Sequence, residues 1–413
     1  MGQYGAPTSS RTAWLTLPAQ TDLDKDMDSK IGINPGKSIS RQVSLRTVFQ
    51  AVRQHGGISR AELSRQTGFS KQTTSEVVGE LVNDGWLRDA GQTSGNIGRT
   101  ATNYELNGAR AHVFGCDLGG TKIILAIADL TGKVIAERTV PTSREGGQAV
   151  IDQIAGLVVD LVAESGISRD SLRCGALGAP GAYDRSSDRL RLVSNIEGLE
   201  AFNISAHFQQ ILGIPVSVEN DVTIAAKGEL WAGSGSNLDS FAFMAMGTGI
   251  GLGIVSEGRV VRGAHGGAGE IASLPLGGNP FDSRNFASGT LESAISSAAI
   301  VQRYKAHGGR DAETVAQIFE CLNRNDPHAI AVIDEVARLA ALAIVSVCAV
   351  VDPAVVITGG AIGARLELIE RIRAILPHCT PNPVPLVISQ LGHRSAVVGA
   401  IGVALDSLHE ALF

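Results

Sequence analysis

Residues 58–86, ISRAELSRQTGFSKQTTSEVVGELVNDGW, outline two short helices joined by a glycine turn. Ser59 followed three residues later by Glu62 matches a capping box. Gly68 supplies the turn, and Ser70 opens a further helix in which Val77, Val78, Leu81 and Val82 recur at helical spacing. The first turn of that helix, Lys71, Gln72, Thr73, Thr74 and Ser75, is left polar. Such a helix presents its N-terminal residues to base edges in the major groove, where the Gln72 amide suits adenine and Lys71 suits guanine or a phosphate. Upstream, the spacing of Leu45, Val48, Phe49 and Val52 predicts a preceding helix with one apolar face. Downstream, residues 86–89 and 102–106 predict two strands around a glycine-rich tip that carries Arg99. The outline is a winged helix-turn-helix over residues 41–107. Its DNA-facing candidates are Arg60, Ser70, Lys71, Gln72, Thr73, Thr74, Ser75 and Arg99.

Composition sets the frame around this module. A chain of 413 residues exceeds one ordinary core and predicts two or three domains. The net charge of −6 is unevenly spread: residues 41–110 hold nine Lys or Arg against six Asp or Glu, whereas residues 111–413 hold 22 against 31. The basic segment is the one suited to phosphate. Five cysteines, Cys116, Cys174, Cys321, Cys348 and Cys379, lie far apart without a CxxC pair, so neither a disulfide framework nor a thiolate metal cluster is expected. Residues 1–40 mix Gly, Ser, Thr and Pro with alternating charges, which predicts a disordered tail. No signal peptide or membrane span is expected, and the predicted location is the cytoplasm.

From Ala111 the pattern changes to apolar strands alternating with helices, the sign of an α/β body. Residues 113–116, 123–128 and 133–140 predict a three-strand meander, followed by a helix over 149–164 and strands near 174–177 and 216–219. Asp117, Gly119, Gly120, Thr121 and Lys122 lie between two strands, where glycines let backbone N–H groups approach phosphate oxygens. Gly247, Thr248, Gly249 and Gly251 form a second such turn, and Gly359 and Gly360 end a third apolar strand. Together they are candidate clamps for a nucleotide, with Mg-ATP as the implied cofactor. Asp221 closes a strand at Glu219-Asn220-Asp221, where a carboxylate can take a proton from an attacking sugar hydroxyl.

This ordered set, ISRAEL, TGFSKQT, DLGGTK, GAPG at 178–181, SN at 194–195, ENDV, GTGIG, GE at 269–270 and TGG, resembles the ROK family of repressors and sugar kinases over about residues 41–410. The resemblance implies a two-lobed, actin-like (ribonuclease H-like) ATPase fold behind the winged helix-turn-helix. The lobes would cover residues 111–217 and 218–413, with the C-terminal helix able to return to the first. It implies sugar contacts at Asn195, Asn220, Asp221, Glu270 and Glu292, with Asp221 as catalytic base in a kinase. Where the family continues with a histidine and CxCGxxGCxE, this chain reads Ala272, Ser273, Ser283, Asn285 and Thr290, keeping only Gly289 and Glu292. Hydroxyls and amides do not replace thiolates and imidazole, so no zinc is expected. Phe281, Phe286 and Leu291 are expected to pack that loop instead. The resemblance thus implies a sugar-responsive transcriptional regulator, a homodimer or higher homo-oligomer that binds double-stranded operator DNA and a sugar or sugar-phosphate effector. The alternatives are an ATP-dependent sugar kinase and a scaffold controlled by a protein partner.

Overall fold

The computed structural model describes residues 38–93, 101–185, 187–191, 196–286 and 288–412. Arg99, Asn195 and the expected tail up to residue 37 lie outside these residues. The boundary at residue 40 is corrected, because helix α1 (Ile39–His55) already begins at Ile39, capped by the Ser38 hydroxyl, which accepts from the Arg41 N–H.

Helix α1 buries Leu45, Val48, Phe49 and Val52, the expected stripe. A two-residue strand β1 (Ile58–Ser59) follows, then α2 (Arg60–Thr67), α3 (Lys71–Asn83), β2 (Leu87–Thr93) and β3 (Ala101–Leu106). The Ser59 hydroxyl accepts from Glu62 N–H, but the Glu62 carboxylate pairs with Arg65 rather than closing the box. Gly68 takes φ +73°, a left-handed conformation that glycine adopts without penalty, and Ser70 caps α3 by accepting from Thr73 N–H at 3.0 Å. Strand β1 pairs with β3, which pairs with β2, so the wing has three strands rather than the two expected.

The body is mixed α/β. Strands β4 (His112–Leu118), β5 (Lys122–Asp129) and β6 (Val134–Pro141) form the antiparallel meander. After α4 (Gly147–Ser165) come β7 (Leu172–Ala179), the hairpin β8 (Ala182–Asp184) and β9 (Arg189–Arg191), α5 (Ile204–Leu212) and β10 (Val216–Asn220). Strands β7 and β10 run parallel to β4, giving the order β10-β7-β4-β5-β6. Helix α6 (Asp221–Ala232) leads to a second sheet built the same way: a meander of β11 (Phe241–Met246), β12 (Ile250–Ser256) and β13 (Arg259–Val261) comes first. Helices α7 (Glu292–Ile295), α8 (Ser297–Ala306), α9 (Val315–Asn323) and α10 (Pro327–Val351) precede β14 (Val356–Gly359). Helices α11 (Gly360–Gly363) and α12 (Leu366–Cys379) then precede β15 (Leu386–Ile388). With β14 parallel to β11 and β15 parallel to β14, the order β13-β12-β11-β14-β15 repeats that of the first sheet. The architecture is duplicated although the sequence shows no obvious repeat.

The last described helix, α13 (Ser395–Leu412), crosses back to pack on β4, β7 and α6. Close approach requires bare backbone there: a Cβ on Gly399 would stand 1.8 Å from the Ile224 carbonyl oxygen, and one on Gly228 2.1 Å from that of Ser395. Val397, Ile401, Ala404 and Leu408 of α13 share one buried cluster with Val48, Phe49 and Val52 of α1 and Val113 of β4. Full burial of each such Val, Leu, Ile or Phe side chain is worth about 1.5–3 kcal/mol. The winged helix is therefore seated on the body by a continuous core. By length and composition alone, the stretch Gly392–Leu412 could cross a membrane, but most of it is buried inside the protein as a core helix.

Candidate functional site

The exposed end of α3 carries Ser70, Lys71 and Gln72, with Thr73 and Ser75 half-buried beside them. Gln72 Nε2 donates to Glu76 Oε1 at 3.0 Å, a bond that must open before the amide can read a base. Arg60 is exposed, its guanidinium 4.9 Å from the centre of the Tyr104 ring. Thr74 departs from expectation. It is fully buried, and its Oγ1 is among the buried polar atoms without a partner among the described residues. Its place on the inner face of α3, in register with Val77, Val78 and Leu81, turns it away from any duplex. The module is pinned from behind as well: Asn107 Nδ2 donates to the Gly85 carbonyl at 2.9 Å, and Arg110 stacks 4.7 Å from the Trp86 ring.

The second site gathers carboxylates from both sheets. Asp117 is the penultimate residue of β4 and Asp221 opens α6, each half-buried. Burial, reinforced by the Asp117 charge, pushes the Asp221 carboxyl up to about 7, despite a backbone bond from Val222 that favours ionisation. Burial likewise raises Asp117 to about 6, opposed by Lys122. Glu270 also raises Asp221, and is itself raised by burial and by Glu292. Asn220 caps α6, its Oδ1 accepting from Val222 and Thr223 N–H, while its Nδ2 donates to the Gly181 carbonyl at 3.0 Å. This ties the GAPG segment to the helix that carries Asp221. Gly269, at φ +91°, approaches so closely that a Cβ would stand 1.8 Å from the Leu252 carbonyl oxygen; it sets Glu270 beside β12. Glu292 accepts from Ile250 N–H at 2.9 Å.

Gly119, Gly120, Thr121 and Lys122 form an open hairpin, closed by Gly119 N–H to the Lys122 carbonyl at 3.0 Å. Gly247 N–H likewise bonds the Gly249 carbonyl at 2.9 Å, with Thr248 exposed at the tip. Three further glycines are also closely packed: a Cβ on Gly251 would meet Val222 at 2.8 Å, one on Gly359 the Phe243 ring at 2.6 Å, and one on Gly360 the Met246 carbonyl oxygen at 2.4 Å. On Gly249 it would stand 2.5 Å from Glu292 Oε2.

The loop at the expected zinc positions is held by polar bonds. Asn285 Nδ2 donates to the Asn279 carbonyl at 2.9 Å, and Asp282 caps the turn that holds Ser283. These side chains do not suit zinc. Leu291 is buried as expected, but Phe281 and Phe286 are 89 % and 76 % exposed, so they do not pack the loop. With Asn279, Asp282 and Asn285 satisfying the backbone, aromatic packing is not needed.

Sequence reasoning missed Glu219. It is buried between Arg185 and Arg262, whose Nε lies 2.9 Å from its Oε1. The signal was in the ENDV motif, since an acid in a buried strand demands cationic partners.

A major-groove reader fused through a shared core to a duplicated α/β body defines a winged helix-turn-helix protein on a sugar-kinase-like frame. The chain belongs to the ROK family, whose model matches residues 113–407; a winged helix-turn-helix DNA-binding model matches residues 45–88. It is 28 % identical to a glucokinase of Halalkalibacterium halodurans, over 69 % of this chain and 92 % of that protein. It is 23 % identical to the DNA-binding transcriptional dual regulator NagC of Escherichia coli, over 86 % of this chain and 91 % of the regulator. The crystal structure of a ROK family transcriptional regulator, a homolog of the E. coli MLC protein, superposes with a TM-score of 0.73 at 21 % identity, covering 90 % of this chain and 98 % of that one.

Proposed function

We propose that this protein is a sugar-responsive DNA-binding transcriptional regulator, a repressor of carbohydrate-metabolism genes acting in the cytoplasm as a homodimer. The observation that carries this reading is the connection between its two sites. Asp221 opens α6, α6 packs on α13, and α13 shares a core with α1 of the reader. In this reading Asn220, Asp221, Glu270 and Glu292 hold sugar hydroxyls, joined by Asn195. The exposed residues Arg60, Ser70, Lys71 and Gln72, with Thr73, Ser75 and Arg99, meet operator DNA. A sugar shifts the reader only by binding one arrangement of the two parts better than another. The test is fluorescence anisotropy with fragments of the gene's own upstream region, at low salt, with and without sugars and sugar phosphates. Absence of any shift discards the reading; a shift changed by one sugar supports it.

A second reading, an ATP-dependent sugar kinase, is favoured by one observation: a carboxyl near 7 at Asp221 is poised as a general base at neutral pH. Asp117, Gly119, Gly120, Thr121, Lys122, Gly247 and Thr248 would hold Mg-ATP, which would supply the γ-phosphoryl group. Asp221 would accept the proton of the attacking hydroxyl. ADP release over a hexose panel, lost by a factor of about 10² to 10⁴ in Asp221→Asn, supports this reading.

A further inference from the structure

We propose that the joint between the reader and the body is a second ligand site, one that takes a neutral, monosaccharide-sized polyol. Four elements meet there around a cavity of about 360 Å³: α1, the β5–β6 turn, α6 and α13. That volume falls in the ordinary range for small-molecule sites, about 300–1,000 Å³. Trp231 of α6 forms one wall. A Cβ on Gly132 would stand 2.6 Å from its indole edge and one on Gly402 3.2 Å from its ring, so two glycines seat the ring closely. It is nevertheless 39 % exposed. A fixed, partly bare indole suits the apolar C–H face of a sugar ring.

The polar wall supplies donors and acceptors side by side. Lys227 Nζ lies 2.7 Å from Asp406 Oδ2, and Arg53 Nη1 lies 3.4 Å from Asp406 Oδ1. Gln54 and Thr131 line the same space. Vicinal hydroxyls need this mixture, because each donates and accepts.

Arg53 and Lys227 face the single Asp406 carboxylate, and the C-terminal turns of α1 and α6 reach the same space with their partial negative charge, which offsets the second cation and leaves the wall close to neutral. The His409 ring adds no charge at neutral pH, since burial and the neighbouring Arg53 lower it to about 4. A ligand touching both Gln54 and Trp231 would bear on the reader and the body at once, and so bias their arrangement.

The test uses the full chain carrying both Asp221→Ala and Glu270→Ala, so its outcome does not depend on the carboxylate cluster. D-glucose, D-xylose and N-acetylglucosamine are titrated, with calorimetry and tryptophan emission as readouts. At least one sugar is expected to bind saturably and shift the emission. Trp231→Phe in that background should abolish the emission change while keeping the heat, and Asp406→Asn should weaken binding at least about tenfold. No saturable heat from any of the three at about 10 mM overturns the proposal. So does binding that survives Asp406→Asn undiminished with the emission change intact in Trp231→Phe. Both substitutions are conservative, and circular dichroism of each variant verifies its fold.

Discussion

Thr74 and Gln72 lie two positions apart on α3 and face opposite ways. The Thr74 hydroxyl is buried without a partner among the described residues, so Thr74→Val removes a desolvated polar group and should leave stability unchanged or raise it by up to about 1 kcal/mol in urea denaturation. DNA affinity should not move; a large loss would mean that Thr74 turns outward on the duplex. Gln72→Ala should instead cost about 1–3 kcal/mol of binding to a specific operator and relax discrimination at one base pair, measured by competition with substituted sites. Asp221 makes a prediction about pH. Its folded-state pKa of about 7 lies above the ordinary 3.8, so between those values the native state binds more protons than the unfolded chain, and stability falls as pH rises through that window. Asp221→Asn should therefore melt a few degrees above wild type at pH 8 and show little difference at pH 4. Equal differences at both pH values would show that the carboxyl is ordinary.

Helices α6 and α13 meet backbone to backbone at Gly228 and Gly399. Alanine at either position forces a Cβ into a carbonyl oxygen, and each substitution should cost at least about 1–3 kcal/mol in chemical denaturation. A smaller cost would show that the helices can slide apart. Much of this scale was legible beforehand, because the reader's helices announce themselves through Ser59, Gly68 and Ser70, and the β4–β6 meander through runs of apolar residues. What escaped had physical reasons. Strand β1 is two residues long, too short to display a period. The duplication lies in strand order and direction, at which the paired glycine turns DLGGTK and GTGIG only hint. Phe281 and Phe286 were expected inside because they are apolar, yet their loop satisfies its backbone through Asn279, Asp282 and Asn285. Gly251 and Gly359, read as phosphate clamps, also leave the space that Val222 and the Phe243 ring occupy. A lone glycine cannot announce whether a ligand or a neighbouring chain segment needs the space.

At the scale of the molecule the reader is held by long-range contacts. Arg46 donates to the Glu410 carbonyl at 3.0 Å, Arg53 pairs with Asp406, and Phe49 meets the His409 ring edge-on at 5.2 Å between centroids. Replacing Arg46 by alanine should leave the isolated affinities for DNA and for sugar within about threefold of wild type. The coupling between them, typically about 1–3 kcal/mol in proteins of this behaviour, should shrink when DNA affinity is measured with and without sugar. Intact coupling would place the connection elsewhere. The same contacts bear on biosynthesis. Arg46 and Glu410 are 364 positions apart, so the reader leaves the ribosome long before the helix it rests on has been made. At about 5–20 residues per second, the nascent winged helix spends tens of seconds without its seat, its α1 stripe lacking the α13 half of their common core. Ribosome-bound chains halted in that interval would carry a reader not yet answerable to the rest of the molecule.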